Sequence, residues 1–362
     1  MRDLSIKDLD TQQALHLALQ EALDDGQFIL GDRVEMFEKK IQEMLGVSYA
    51  VSCSSASSGL YLALKALNIG PGDEVITTPL TWLVTGSAII QVGATPVFVD
   101  VDDNYNISPS SIRNAISKKT KGILAVHYYG RMAAIKEIAE IALNSKVSLI
   151  EDCAQAFGAK RDNLFAGLYG DIGVYSFSPM KVIGGLGDNG MIVCKSSEIA
   201  ERIKILRHAG TVNKEWCVSP EGKHLMDSLH ASFLTVIVEK TNEVISKRRD
   251  LAFLYEEALR ELVIVPSLGA QMEHTAYDYP IRVKNRNSLN DFLNSLGIES
   301  RIRHPYLVSD QPIHQASVVH ELNNAKRFVE EILCLPIHNN LTEVEIHFVS
   351  NAIKKWFKDQ ED

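Results

Sequence analysis

A chain of 362 residues, 46% hydrophobic and 23% charged, is long enough for two cores and has the composition of an ordinary globular protein. Its net charge of −9 is not gathered into runs, and no cluster of Lys and Arg marks a nucleic-acid surface. No apolar run reaches the roughly 18–20 residues of a membrane span, and MRDLSIKDLDTQQALHLAL carries acids where a signal peptide carries bases, so a cytoplasmic protein without nucleic-acid or membrane partners is expected.

In chain order, short β-branched runs alternate with longer amphipathic ones. YAVS (49–52) precedes SSGLYLALKAL (57–67), whose apolar residues recur at helical spacing. The turn GPGDE (70–74) leads to VITT (75–78), a mixed apolar segment from Trp82 and PVFVD (96–100). A helix-like region around 108–118 follows, then GILAVH (122–127), a helix over 132–144 and VSLIED (147–152). Continuous apolar strands separated by helices describe a parallel sheet covered on both faces, an α/β fold. Near residue 220 the pattern changes to a long helical stretch over 227–260. After it come strand-like YDYPIRV (277–283), a helix over 287–296 and a final helix from about 342. A large domain, 1–240, and a smaller α+β domain, 241–362, are expected, packed closely because no flexible linker separates them. The five cysteines are scattered and odd in number, which predicts buried free thiols rather than a disulfide framework or a metal site.

The stretch SPMKVIGGLGDNGMIVC (178–194) carries three competing signals. Gly185, Gly187 and Gly190 match G-x-G-x-x-G, but a dinucleotide site follows a strand and opens a helix, whereas MIVC after these glycines is strand-like. That leaves an NAD-dependent dehydrogenase as an outside option. Ser178 and Lys181 match S-x-x-K, yet the companions S-D-N and K-T-G are missing from the chain. The third signal is Lys181 as a lysine linked to pyridoxal phosphate (PLP). PLP needs a lysine, a carboxylate on its ring nitrogen, a cover for its ring face, and amide or hydroxyl donors for its phosphate. Glu151 and Asp152 end an apolar strand, where ligands collect in open α/β sheets. Asp152, one strand before Lys181, suits the carboxylate role; alone it could equally cap a helix.

At these residues the chain resembles the DegT/DnrJ/EryC1/StrS aminotransferases, PLP enzymes that mostly act on nucleotide-linked keto sugars. The resemblance runs almost end to end, through LNIGPGDEVITTPLTW (67–82), VHYYGR (126–131), EDCAQAFGA (151–159), GDIGVYSFSPMKVIGGLGDNGMIV (170–193) and GIESRIRHPY (297–306). It implies fold type I, with a large, mostly parallel-sheet domain and a smaller C-terminal one. It also implies Lys181 as Schiff-base lysine and catalytic acid–base, Asp152 as pyridinium partner, and Gln155 at the ring hydroxyl. Trp82 falls where the family places an aromatic over the ring; without the match it reads as a core tryptophan. Ser176 and the segment SSASSGL (54–60) take the phosphate role, with Ala56 and Ser57 standing where the family has Gly and Thr. Tyr128, Tyr129 and His304 are candidates for the sugar pocket, packing being the other reading of each.

The chain departs from the family in EGKHLMDSLHAS (221–232). Lys223 takes the place of an Asn that reaches the neighbouring subunit's phosphate, Leu225 that of an Arg, and His230 that of a Gln. A lysine can still serve a phosphate as a point charge. Asn189 stands where Gly is frequent, which a tolerance of positive φ would explain. The resemblance implies amino transfer from an amino acid, glutamate by family habit, to a nucleotide-linked keto sugar, in a homodimer. The alternatives are a dehydratase-like member, in which histidine replaces the lysine, and a non-catalytic regulatory member.

Overall fold

The continuous apolar runs form strands whose alternate side chains feed two separate cores. The computed structural model describes residues 3–213, 215–266 and 272–361. Helices α1 (Leu9–Asp25) and α2 (Asp32–Leu45) precede β1 (Tyr49–Cys53) and α3 (Ala56–Ala66). Then come β2 (Glu74–Thr77), α4 (Leu83–Gln91), β3 (Thr95–Phe98), α5 (Pro109–Ala115), β4 (Thr120–Val126), α6 (Ile135–Ser145) and β5 (Ser148–Asp152). A small hairpin, β6 (Lys160–Arg161) and β7 (Leu164–Phe165), leads to β8 (Ile172–Ser176), β9 (Gly190–Cys194) and α7 (Ser197–Arg207). A second hairpin, β10 (Thr211–Val212) and β11 (Trp216–Cys217), is followed by α8 (Ser228–Ile237) and α9 (Thr241–Leu259). The chain ends with β12 (Met272–Glu273), β13 (Tyr279–Arg282), α10 (Arg286–Ser295), β14 (Val318–Val319), α11 (Asn323–Glu331), β15 (Ile332–Leu335) and α12 (Glu343–Glu361).

Eight strands make the main sheet in the order β1-β9-β8-β5-β4-β2-β3-β14, with β9 alone antiparallel to its neighbours. Because side chains alternate across a strand, Ile123, Ala125 and Leu149 face one core, lined by α2, α6 and α8. Leu124, Val126 and Ile150 face the other, lined by α3, α4 and α7. Helices therefore cover both faces, as the uninterrupted hydrophobicity of these strands requires. A third core gathers apolar residues of α9, α10 and α12 around the β13–β15 pair. The segment 307–331 does not stay with it: Leu307, Leu322 and Phe328 join the core of the main sheet, and β14 extends that sheet beyond β3.

Two expectations need correction. The helical stretch over 227–260 is two helices, α8 and α9, separated by a 3-10 turn over Val238–Lys240. Of the five cysteines, Cys217 is exposed on the β10–β11 hairpin while the other four are buried. Among the described residues no helix is long and apolar enough to cross a membrane.

The end of β5 is held by a buried carboxylate. Glu151 is fully buried and accepts four hydrogen bonds: from the backbone N–H groups of Gly167, Tyr169 and Gly170, at 2.9, 2.7 and 2.7 Å, and from His127 Nε2 at 2.8 Å. His127 Nδ1 accepts the Ala133 N–H at 3.1 Å, which places the ring proton on Nε2, facing Glu151. His127, Glu151 and Cys153 also bring their ligand atoms within 4.8 Å of one another. Glu151, however, already spends its lone pairs on these donors, so the cluster is a hydrogen-bonded brace. Replacing Glu151 with Gln turns an amide N–H toward these donors and should cost roughly 3–5 kcal/mol in urea unfolding. An unchanged unfolding midpoint would contradict this bracing role.

Candidate active site

Strands of the main sheet end at one cavity of about 430 Å³, within the range of small-molecule sites. It lies at the carboxyl ends of parallel strands, where their loops diverge. The end of β5 supplies Asp152, that of β8 supplies Ser176, the start of α3 supplies Ala56 and Ser57, and the loop after β2 supplies Trp82. Lys181 enters from the β8–β9 loop, and His304 from the segment after α10.

The alternation that sends Glu151 to one face sends Asp152 to the other. Asp152 is 5% exposed. Its carboxylate accepts the Ala154 N–H at 3.1 Å and the Thr85 hydroxyl at 3.1 Å. Burial raises its pKa above the usual value, opposed by the Ala154 N–H, the charge of Lys181 and the Thr85 hydroxyl. Asp152 does not cap a helix. β5 is followed by turns over 153–159, and the Ala154 contact is a local Asx turn.

Helix α3 starts at the cavity edge. Ser55 caps it by accepting the Ser58 N–H at 3.1 Å, and Ala56 and Ser57 are its first two residues. First-turn N–H groups have no partner within the helix and form an anion site. Ser57 is exposed there, and buried Ser176 stands across from it on the cavity wall. Gly190 makes this approach possible: a Cβ at that position would lie 2.5 Å from the Ser55 carbonyl carbon and 2.7 Å from Ala56 N. Gly190→Ala should therefore destabilise the fold by roughly 1–3 kcal/mol, read by urea unfolding. A variant with parental stability would show that the α3 start can retreat.

The glycine-rich loop contains no dinucleotide fold. Its last glycine begins β9, an antiparallel strand, and the base is closed by Phe177 N–H to Asn189 O and Gly185 N–H to Phe177 O, both at 2.8 Å. None of Gly184, Gly185, Gly187 and Gly190 has a positive φ. They are needed for their missing side chains: Gly185 sits against Leu234 and Gly187 against the His230 ring. Asn189 likewise lies outside the positive-φ region, so left-handed tolerance does not explain it. It is buried, and its Nδ2 donates to Gly187 O at 3.1 Å.

The other expected residues divide. Trp82 is 57% exposed at the start of α4, a cavity residue and no core tryptophan, with its ring centre 5.9 Å from that of His304. Gln155 is buried rather than solvated; its Oε1 accepts the Tyr129 N–H at 2.7 Å, which turns its Nε2 away from that contact. His304 lines the cavity, and burial, Arg303 and Lys181 push its pKa down to about 4, so the ring is neutral at ordinary pH. Tyr128 and Tyr129 do not line this cavity. They are buried with ring centres 3.9 Å apart, and the Tyr128 ring lies 5.5 Å from that of His304. Lys223 is exposed beside His208 and also lies off the cavity wall.

Sequence reading missed Thr85, Tyr277 and Arg303. Thr85 has no local signal, because its partner lies 67 residues away. Tyr277 is 5% exposed, and the Lys181 Nζ lies 5.0 Å from its ring centre. Arg303 stands next to His304, so its cavity position could have been read from the same segment.

A lysine and a buried carboxylate facing one cavity at the strand ends meet two of the requirements of a PLP site. The profile of the DegT/DnrJ/EryC1/StrS aminotransferase family matches residues 10–354, and the chain belongs to that family. A pleiotropic regulatory protein of Geobacillus stearothermophilus is 34% identical over 99% of this chain and 98% of its own. The UDP-N-acetyl-3-dehydro-alpha-D-glucosamine 3-aminotransferase of Acidithiobacillus ferrooxidans is 35% identical over 92% of this chain and 91% of its own. Among solved structures, the ntda protein of Bacillus subtilis, with bound cofactor PMP, superposes with a TM-score of 0.89 at 28% identity, over 97% of this chain and 83% of that one.

Proposed function

We propose that this protein is a PLP-dependent aminotransferase that moves nitrogen from an amino acid, glutamate in our reading, to a keto sugar carried on a nucleotide. One observation carries the reading: Lys181 and buried Asp152 face a single cavity that opens on the free N-terminus of α3. The residues suit the cofactor. A buried carboxylate is costly without a positive partner, and the Gly190 cradle brings first-turn amides against the cavity. Asp152 would hold the pyridine nitrogen, Ala56, Ser57 and Ser176 the phosphate, Gln155 Nε2 the ring hydroxyl, and Trp82 would cover the ring face. When bound, PLP supplies an electron sink for the carbon that loses its proton.

The chain's own residues do the rest. Lys181 Nζ takes a proton from the donor carbon and returns one to the acceptor side, as a general base and then acid. Neutral His304, tilted against Trp82, can accept or donate a hydrogen bond at a sugar hydroxyl without adding charge. In the same reading the protein is a cytoplasmic homodimer, residues 1–240 bind the cofactor and 241–362 form the smaller domain. Lys223 serves a phosphate across the dimer.

A regulatory reading draws on the pleiotropic regulatory relative, and turnover separates the two. A dehydratase-like member would carry histidine in place of Lys181. The direct test is the absorption spectrum of the purified protein with PLP, before and after borohydride, followed by peptide mapping. A band that borohydride removes, with the label on Lys181, is expected, followed by turnover of a nucleotide keto sugar with glutamate. A label elsewhere, or no band, would overturn the assignment. A label on Lys181 without turnover on any nucleotide keto sugar would favour the regulatory reading.

A further inference from the structure

Two cations lie on the cavity wall, and the proposed function employs only Lys181. The second is Arg303, whose Cζ lies 5.4 Å from the centre of the same Tyr277 ring that Lys181 approaches. Asp278 grips Arg303 from one side: Nε donates to Oδ2 at 2.9 Å and Nη2 donates to Oδ1 at 2.6 Å. A guanidinium has five N–H donors in a planar fork. The Asp278 grip uses two, and among the described residues both hydrogens of Nη1 and the second of Nη2 have no partner. Of those three, one on Nη1 and one on Nη2 lie side by side on the end of the fork, a geometry that fits a second carboxylate bidentately. Asp278 is 7% exposed, so the plane of the fork is set by a buried partner and by the ring of Tyr277.

We propose that Arg303 is the specificity residue of this cavity, gripping end-on a carboxylate of the co-substrate while Asp278 and Tyr277 hold its plane. This rests on the aminotransferase reading for the identity of the co-substrate. The carboxylate has two possible sources, the amino-acid donor or an acidic sugar on the nucleotide. Either one enters the cavity beside Lys181, and Arg303 is the cation that remains once Lys181 serves the cofactor and the proton. Arginine rather than lysine suits the position, because a lysine would be a point charge that Asp278 alone could saturate.

The test uses the full chain and two unreactive carboxylate probes, maleate and glucuronate, titrated by calorimetry with and without PLP. Arg303→Lys keeps the charge and loses the fork. The double variant R303M/D278N removes both buried partners together, so no unpaired charge is left to unfold the protein. At least one probe should bind the parent and weaken about tenfold or more in both variants, roughly the loss of one charge-assisted hydrogen bond. Equal affinities, or no binding of either probe to the parent, would overturn the proposal. The source follows from two rates in the PLP-loaded protein. A raised glutamate requirement for discharging the visible band marks the donor, and a raised KM confined to a uronate-bearing sugar nucleotide marks the acceptor. If borohydride labels Lys181 while the probes ignore Arg303, this inference falls and the aminotransferase reading stands. If no label forms, that reading falls and the probe titrations still judge Arg303.

Discussion

Lys181→Ala will fold and will lose turnover by on the order of 10^4-fold, the upper end of what a positioned acid–base group supplies. Folding should survive because the side chain is only half-buried and its Nζ makes no hydrogen bond among the described residues, only the contact with the Tyr277 ring. The local backbone is held separately, by the Lys181 N–H donating to Ser178 O at 2.9 Å. Lys181→Arg sharpens the result. It keeps a positive charge beside Asp152 but cannot release a proton at neutral pH, so it should be nearly as inactive as the alanine variant. If the arginine variant retained a tenth of parental kcat, the role of Lys181 would be electrostatic and the proton-transfer assignment would be wrong. Unfolding curves of all three proteins, matched within about 1 kcal/mol, exclude loss of structure as the cause.

Asp152→Asn is expected to move function and stability in opposite directions. Turnover should fall roughly 10^2–10^3-fold, the scale seen when one preorganised electrostatic partner is removed. The cofactor-free protein should melt higher. Burial raises the Asp152 pKa from its usual value of 3.8, so the folded chain holds this proton more tightly than the unfolded chain does. The stability it contributes is therefore complete below pH 3.8 and is lost as pH rises through the folded value. Above the folded value the protein carries a buried charge that folding does not favour. Asparagine keeps an acceptor for the Ala154 N–H and removes that charge, which should raise Tm by roughly 1–3 °C at pH 7, with the gap narrowing as pH falls toward 4. A lower Tm at pH 7 would mean that the Thr85 and Ala154 hydrogen bonds and the charge of Lys181 outweigh desolvation. Addition of PLP should reverse the order, because ligand binding stabilises the protein that binds it more tightly.

These signs describe a site kept at some cost to the fold. Glu151 and Asp152 are neighbours in sequence and both buried, yet their surroundings separate their roles. Glu151 is surrounded by four donors that it satisfies, and it ties β5 to the turn before β8. Asp152 has two hydrogen bonds and a cavity in front of it. A buried acid with unmet demand, opposite a lysine, is the arrangement expected of a functional group rather than a structural one.

Much of this protein is legible in the chain itself, for reasons that are local. Unbroken apolar runs such as GILAV can be satisfied only by a sheet covered on both faces, and helical spacing in SSGLYLALKAL requires a helix packed on one side. Lys181, Asp152, Ser57 and Trp82 lie within segments whose order and spacing resemble a known family, so their convergence on one cavity was expected from sequence. What only the tertiary structure decided are contacts between residues distant in the chain: Thr85 with Asp152, Asp278 with Arg303, Gly190 with the start of α3. Alternation along β5 puts Glu151 and Asp152 on opposite faces, but only the packing of the other elements decided which face meets the cavity and which meets the 167–170 turn. The same limit explains Tyr128, Tyr129 and Asn189. Their residue types are compatible with a sugar pocket or a left-handed turn, but packing against His304, Gln155 and Gly187 placed them in the interior, because a buried side chain answers to neighbours that local sequence does not name.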